Sequence, residues 1–413
     1  MPLTEEQREL LGEKLVPLFQ RFESIVIQDI ARRLKKTGRL TETAELMAQG
    51  MRRQGFFPAA IRSQVLGMIK ADKAFIEAMN ENTLEAKRLL KEQIEELREK
   101  AAEIIDETVQ HAGDFAFNED LAAWKGDKLP VKGSAFEKLV QAMKERTKGE
   151  ILNLTKSMGF RTQTGEMVDS QRAYTSTLNK ALIKITTGAF SYQQALEDAV
   201  RELALSGIRS IDFESGYSQQ ADVAVRKAML TASAQLSGQI TMMNVEDTGV
   251  ELVEVSSHWG ARTGRGHGNH AAWQGRIYRV NGSDSKYRNL EEVTGYPSDP
   301  KGLLGYNCRH VFYPFWEGAS TPTQWPEEPA PKEINGKTYT YYQATQEQRR
   351  MERIIRALKR EAFAMREIGD SKKAKYAKER AKEMEIQYNE FSEAAGISPK
   401  PARLRVVTVS SQF

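Results

Sequence analysis

The chain of 413 residues contains one cysteine, Cys308, so it forms no internal disulfide and cannot build a four-cysteine zinc site. Synthesis in a reducing cytosol is expected. Long apolar runs are missing. No stretch approaches the roughly 18 consecutive apolar residues of a membrane span, and the mean hydropathy is -0.55. Residues 1–20 carry acids and bases throughout and have no apolar h-region, so no secretory signal is expected. An excess of one charge is missing as well. Sixty basic and 56 acidic residues leave +4, too balanced to announce a nucleic-acid binder. The chain lacks H-E-x-x-H, a C-x-x-C pair and an EF-hand loop. Gly264-Arg265-Gly266-His267-Gly268 is not a phosphate-cradling loop, since it neither carries the Lys-Ser/Thr ending nor opens a helix. What is present, 40% apolar and 28% charged residues, is enough for two or three folding units at roughly 150 residues each.

The first half reads as helix. Leu15, Val16, Phe19, Phe22, Ile25, Val26, Ile30 and Leu34 recur every three or four residues, which predicts an amphipathic helix over 13–36. A second helix is expected over 41–54, broken by Gly55-Phe56-Phe57-Pro58. A long charged helix is expected over 72–112. Its Leu90, Ile94, Leu97, Ala101 and Ile104 follow heptad spacing for about two heptads. That stripe suits either the chain's own core or a second chain, so a homo-oligomer stays open. Asp114 to Gly133, with Trp124-Lys125-Gly126-Asp127 and Leu129-Pro130, marks a boundary; helices resume over about 135–156, 170–187 (stopped by Gly188), 192–206 and 218–243, with a loop over 159–165 and a short strand over 208–213 between them. Ser191 is the expected N-cap of the helix that Gly207 closes.

The character changes at Gly249. Residues 250–255, 276–280 and 309–313 read as strands, the last ended by Pro314. Residues 321–338 are proline-rich and read as a linker. The tail returns to helix, divided at Gly369-Asp370, and residues 403–409 read as an edge strand or a docking peptide. The fold class expected is α+β, with a mostly helical N-terminal half (1–130 and 134–248), a small loop-rich His/Cys module (249–320), the linker, and a basic helical tail (339–413).

Four of the five histidines, His258, His267, His270 and His310, share a 53-residue window with Cys308. Cys308 and His310 are two apart on an expected strand and so face the same side. Imidazole and thiolate are good zinc ligands, and four such groups can close a tetrahedral site. Three readings stay open. The rings can clamp loops by hydrogen bonds, they can hold a structural zinc, or they can serve a metal-dependent hydrolase or nuclease. Such a nuclease would use His258, His270, Asn307 and His310 and would need a carboxylate arrangement that the sequence does not reveal. A Cys308/His310 nucleophile pair lacks an apparent third orienting residue. Arg262, Arg265, Arg276 and Arg309 are candidate phosphate or acidic-surface contacts. Residues 345–382 hold 13 Lys/Arg against 6 Asp/Glu. Arg349, Arg350, Arg353, Arg356, Lys359 and Arg360 are the tail's candidates for contact with DNA or a protein partner.

Ser257-His258-Trp259-Gly260-Ala261-Arg262, His270-Ala271-Ala272-Trp273-Gln274-Gly275-Arg276 and Gly302-Leu303-Leu304-Gly305-Tyr306-Asn307-Cys308-Arg309-His310, followed by Tyr313-Pro314-Phe315, resemble the signature of phage minor capsid protein 2. Ser215-Gly216, Ala224-Val225-Arg226 and Gln346 to Arg356 extend the resemblance, which covers about 150–390. More distantly, the module is similar to head-morphogenesis proteins related to the phage Mu minor head protein. The resemblance implies a virion protein of a tailed phage or prophage, made in the bacterial cytoplasm. It would act at the portal vertex or inside the head, beside portal, major capsid or scaffold proteins and packaged DNA. It maps the family's histidines and cysteine onto His258, His270, Cys308 and His310, with His267 in the variable part of the loop. It implies no enzymatic mechanism and no membrane partner.

Overall fold

The three-to-four-residue apolar period becomes helix throughout the N-terminal half. The computed structural model describes residues 10–39, 42–161, 165–186, 191–211 and 217–409. Gly188, Ser215-Gly216 and the end of the strand expected over 208–213 lie outside them. Among the described residues, the first helices are α1 (Val16–Arg39), α2 (Glu42–Arg53), α3 (Pro58–Ala71), α4 (Lys73–Ala123) and α5 (Ser134–Lys156). The Gly55-to-Pro58 break is followed at once by α3, because proline at the first helical position has no N–H to waste there. Helix α4 starts on the Asp72 side chain, which accepts from the Phe75 N–H at 3.1 Å. It runs for 51 residues, about 75 Å at 1.5 Å per residue. Its heptad stripe faces the chain's own core. Leu97 and Ala101 are buried, with Leu90, Ile94 and Ile104 packed beside them.

Strands β1 (Met158–Arg161) and β2 (Met167–Val168) then lead to α6 (Ser170–Thr186), α7 (Tyr192–Ser206), β3 (Arg209–Ile211) and β4 (Ser218–Gln220). They form an antiparallel sheet of order β2-β1-β3-β4. The loop expected over 159–165 is thus partly strand. Ser191 caps α7 and Gly207 ends it with φ +63°, both where the sequence puts them, and Gln194 completes a reciprocal capping box beyond the expected N-cap.

Helix α8 (Ala221–Thr248) is the spine. Val225, Met229, Leu236 and Ile240 point into the large helical core. Ala234 and Val245 belong to a second core with Val253, Val255, Trp273, Tyr278, Leu290, Leu303, Leu304 and Phe312. A helix apolar on both sides is what a position between two cores requires. The second core is built on β5 (Leu252–Val255), α9 (His270–Trp273), β6 (Ile277–Arg279), α10 (Leu290–Thr294) and β7 (Phe312–Phe315), with sheet order β6-β5-β7. Pro314 lies inside β7 rather than ending it. Among the described residues β7 pairs only with β5, so an edge position tolerates the missing N–H.

The stretch 321–338, expected as a linker, is a strap that ends in a hairpin. Thr323 N donates to Glu254 Oε1 at 2.8 Å, and Trp259 Nε1 donates to Pro326 O at 3.0 Å. The hairpin is β8 (Lys332–Ile334) with β9 (Lys337–Tyr339). The tail is α11 (Tyr341–Ile368) and α12 (Ser371–Ala395), parted at Gly369-Asp370. α11 adds Phe363, Ala364, Met365 and Ile368 to the large helical core. Residues 403–409 form no strand. Val407 N and Val409 N donate to Gln20 Oε1 (3.1 Å) and Ser24 Oγ (2.8 Å) of α1, so this segment docks on its own chain. The whole is α+β and predominantly helical. Among the described residues no helix is long and apolar enough to cross a membrane.

Candidate functional site

Strand β5 is buried along its whole length and sets the module's frame. Its continuation is tied to the chain before β7. Ser256 N donates to Val311 O at 2.8 Å, and Val311 N donates to Ser256 Oγ at 2.9 Å. This brings His258, two residues past Ser256, against His310, one residue before Val311. Their ring centroids are 4.4 Å apart. The four-residue α9 supplies His270 and Trp273, whose rings stand 5.3 and 4.8 Å from that of His310. Cys308 and His310 precede β7 rather than lying on it. They meet through a turn in which Asn307 takes φ +56°, a conformation asparagine tolerates better than most residues. Cys308 Sγ lies 3.5 Å from His310 Nδ1.

Each ring is oriented by an oxygen. His270 Nε2 lies 2.9 Å from Lys301 O, and His258 Nδ1 lies 2.9 Å from Trp259 O. His310 Nε2 is 2.8 Å from Gln274 Oε1, which also accepts the His258 N–H at 3.1 Å. An amide oxygen only accepts, so His310 Nε2 carries a proton and donates to Gln274, while Nδ1 faces the Cys308 sulfur. His270 is 2% exposed and His310 0%. Burial, the main cause, pushes the His270 pKa below its ordinary value, with Arg262 and His258 acting the same way against the bond to Lys301. His270 is therefore a neutral imidazole at physiological pH.

The other signature residues build the frame. Arg262 donates from Nη2 to Tyr306 O at 2.6 Å. Trp273 donates to His267 O at 2.9 Å, and its own carbonyl accepts from the Tyr278 hydroxyl at 2.7 Å. Gly275 sits at φ +67°, where a Cβ would press on Trp325 of the strap. His267 is not brought into the cluster. It turns to Asp299 Oδ2 at 2.9 Å and Glu292 O at 3.3 Å. The group whose ligand atoms converge is His270, Cys308 and His310, all within 4.8 Å of one another. Among the described residues no carboxylate joins it, and Asn307 is exposed. That leaves the expected nuclease centre without its carboxylate. Gln274 is the functional residue that sequence reasoning missed as an orienting group. It lies 36 residues from His310, and no local spacing signals such a pairing.

The six basic tail residues divide. Arg356 and Arg360 are each 2% exposed. Arg356 donates to Arg403 O at 2.7 Å and Gln220 Oε1 at 3.2 Å, and Arg360 donates to Ala204 O at 2.9 Å. Both face the buried carboxylates Asp222 and Glu23, so they are internal and unable to reach DNA or a partner. The helix carries its positive charge on its packed side because acids from α1 and α8 meet it there. Lys359 pairs with Glu385 at 2.5 Å, and Arg350 pairs with Glu347 at 2.6 Å. Arg353 is exposed, and Arg349 is half-buried. Burial first, then Arg309 and Arg403, push the Arg349 pKa down to about 10, so it stays charged at neutral pH.

The family model for phage minor capsid protein 2 matches residues 3–393. A protein of Lactococcus phage LL-H named "Structural protein" is 26% identical over 281 residues, covering 65% of this chain and 71% of its own. No solved structure matches the chain. A match over nearly the whole length, with every signature side chain from His258 to His310 built into one module, leaves one conclusion: the chain belongs to the phage minor capsid protein 2 family.

Proposed function

We propose that this protein is a non-enzymatic structural component of a tailed-phage or prophage head that acts in capsid assembly at or near the portal vertex. The observation that carries the reading is the family match across residues 3–393, with a phage structural protein among the relatives. The site's chemistry fits an architectural role. Its rings are held by loop carbonyls and one amide, an arrangement that fixes loops relative to one another. Portal, major capsid or scaffold proteins are the partners proposed, and the virion is the proposed location. Arg353, with Arg349 and Arg309 nearby, is the tail's proposed contact for packaged DNA or an acidic protein surface.

Co-expression with a portal protein of the same phage, followed by native mass spectrometry, tests the reading. A defined complex of the two chains is expected. Free chains at micromolar concentration, both folded by circular dichroism, would sink it.

A further inference from the structure

Cys308 Sγ and His310 Nδ1 stand 3.5 Å apart. Two ligands sharing one tetrahedral zinc, with sulfur at about 2.3 Å and nitrogen at about 2.0–2.1 Å, are separated by about 3.5 Å. His270 completes a triplet in which no two ligand atoms are more than 4.8 Å apart, so small rotamer adjustments bring all three to bonding distance. The far nitrogens of both rings are engaged by oxygens, His270 Nε2 with Lys301 O and His310 Nε2 with Gln274 Oε1. A metal-bound imidazole is normally oriented in this way, its second N–H donating to a carbonyl or carboxylate oxygen. The pattern makes Nδ1 the ligating atom of both rings. His258 lies outside this triplet, but its ring packs against that of His310 with centroids 4.4 Å apart, and its Nδ1 is engaged by Trp259 O, so Nε2 is the nitrogen it would offer as a fourth donor.

We propose that His270, Cys308 and His310, with His258 closing the set, bind one zinc ion. The donors are three imidazole nitrogens and one thiolate, with no carboxylate among them. That composition selects a borderline-soft cation over magnesium or calcium. On binding, the Cys308 thiol releases its proton to solvent and a sulfur–zinc bond forms, while the imidazoles ligate in their neutral form. The ion would tie the turn before β7 to α9 and to the end of β5, three segments of a module with few long elements. The assignment stands on these four side chains and is independent of the portal reading.

The test uses the full chain, purified without chelator. Elemental analysis is expected to give one zinc per chain. Exchange with cobalt(II) is expected to give a thiolate-to-metal charge-transfer band that is lost in Cys308→Ser. His267→Ala should keep both the metal and the band. His270→Ala should weaken zinc binding at least tenfold in competition with a chelating dye. Should Cys308→Ser or His270→Ala fail to fold, alkylation of Cys308 in the unmodified protein decides, because zinc should protect the thiol and a chelator should restore its reactivity. Folded protein that neither retains nor takes up zinc would overturn the assignment. So would a thiol alkylated equally fast with and without zinc, which would mark Cys308 and His310 as a metal-free thiol–imidazole pair.

Discussion

At Gly305 an added Cβ would fall inside the van der Waals shell of the Pro300 carbonyl oxygen, and at Gly302 inside that of Thr294. Both obstacles are backbone, so neither can rotate away. The loop carrying Asn307, Cys308 and His310 therefore folds tightly only because two of its residues lack side chains. Gly305→Ala should force a backbone shift costing about 1–3 kcal/mol and displace the turn that presents Cys308. Urea denaturation should report the loss. Gly282→Ala, at a turn where a Cβ meets nothing within 4 Å but φ is +68°, isolates the other kind of penalty, one that Gly305 does not carry. Its penalty should be about 1 kcal/mol, from backbone strain alone. Equal stability of Gly305→Ala and the parent protein would mean the loop has another accommodating arrangement.

Composition marks helix α11 as basic and makes six of its residues candidate contacts, but two of them, Arg356 and Arg360, prove to be internal at the element scale. Periodicity located the helix, but a charge count over 345–382 cannot tell which arginines meet acids from elsewhere in the chain. Asp222 lies on α8, and Arg356 Nε approaches it to 3.4 Å with both groups almost fully buried. Burial opposes ionisation of Asp222, but Arg356, Arg226 and Arg360 outweigh it and hold its pKa below the ordinary value. Removing Arg356 leaves a buried carboxylate short of its main partner. Arg356→Ala should destabilise the protein by about 3–5 kcal/mol and leave the salt dependence of any DNA binding unchanged. A stable variant with a shallower salt slope would instead return Arg356 to the surface. Arg353→Ala should show the opposite pair of effects, with stability within about 0.5 kcal/mol of the parent. The elements that sequence alone located well are those with strong local signals: the 3.6-residue period of α1 and α4, the Ser191 N-cap, and the glycine at the α11–α12 break. Those it missed depend on distant partners. The strap over 321–331 is held by Glu254 and Trp259, and residues 403–409 are held by α1.

Across the whole molecule, the helical body and the His/Cys module share α8, and the period that places a helix over 218–243 does not say that two cores meet on it. The same helix carries a buried acid–amide contact with the end of α4. Asp120 Oδ2 accepts from Thr241 Oγ1 at 2.9 Å and from Asn244 Nδ2 at 3.0 Å. Burial outweighs these two bonds and pushes the Asp120 pKa up to about 6. In the unfolded chain the same carboxyl titrates near 3.9. Between those values the folded state holds the proton and the unfolded state does not, so stability falls as pH rises from about 4 to about 6 and levels off above. Two pKa units correspond to roughly 3 kcal/mol. Asp120→Asn keeps an oxygen acceptor and carries no charge, and Asn244 Oδ1, buried without a hydrogen-bond partner among the described residues, is an acceptor for the new amide. The variant should lose this pH slope and be more stable than the parent at pH 7. Urea titrations of both proteins from pH 4 to 8 measure the difference directly. Parallel stability curves would show that Asp120 ionises as an ordinary carboxylate and that α4 meets α8 through a more hydrated contact.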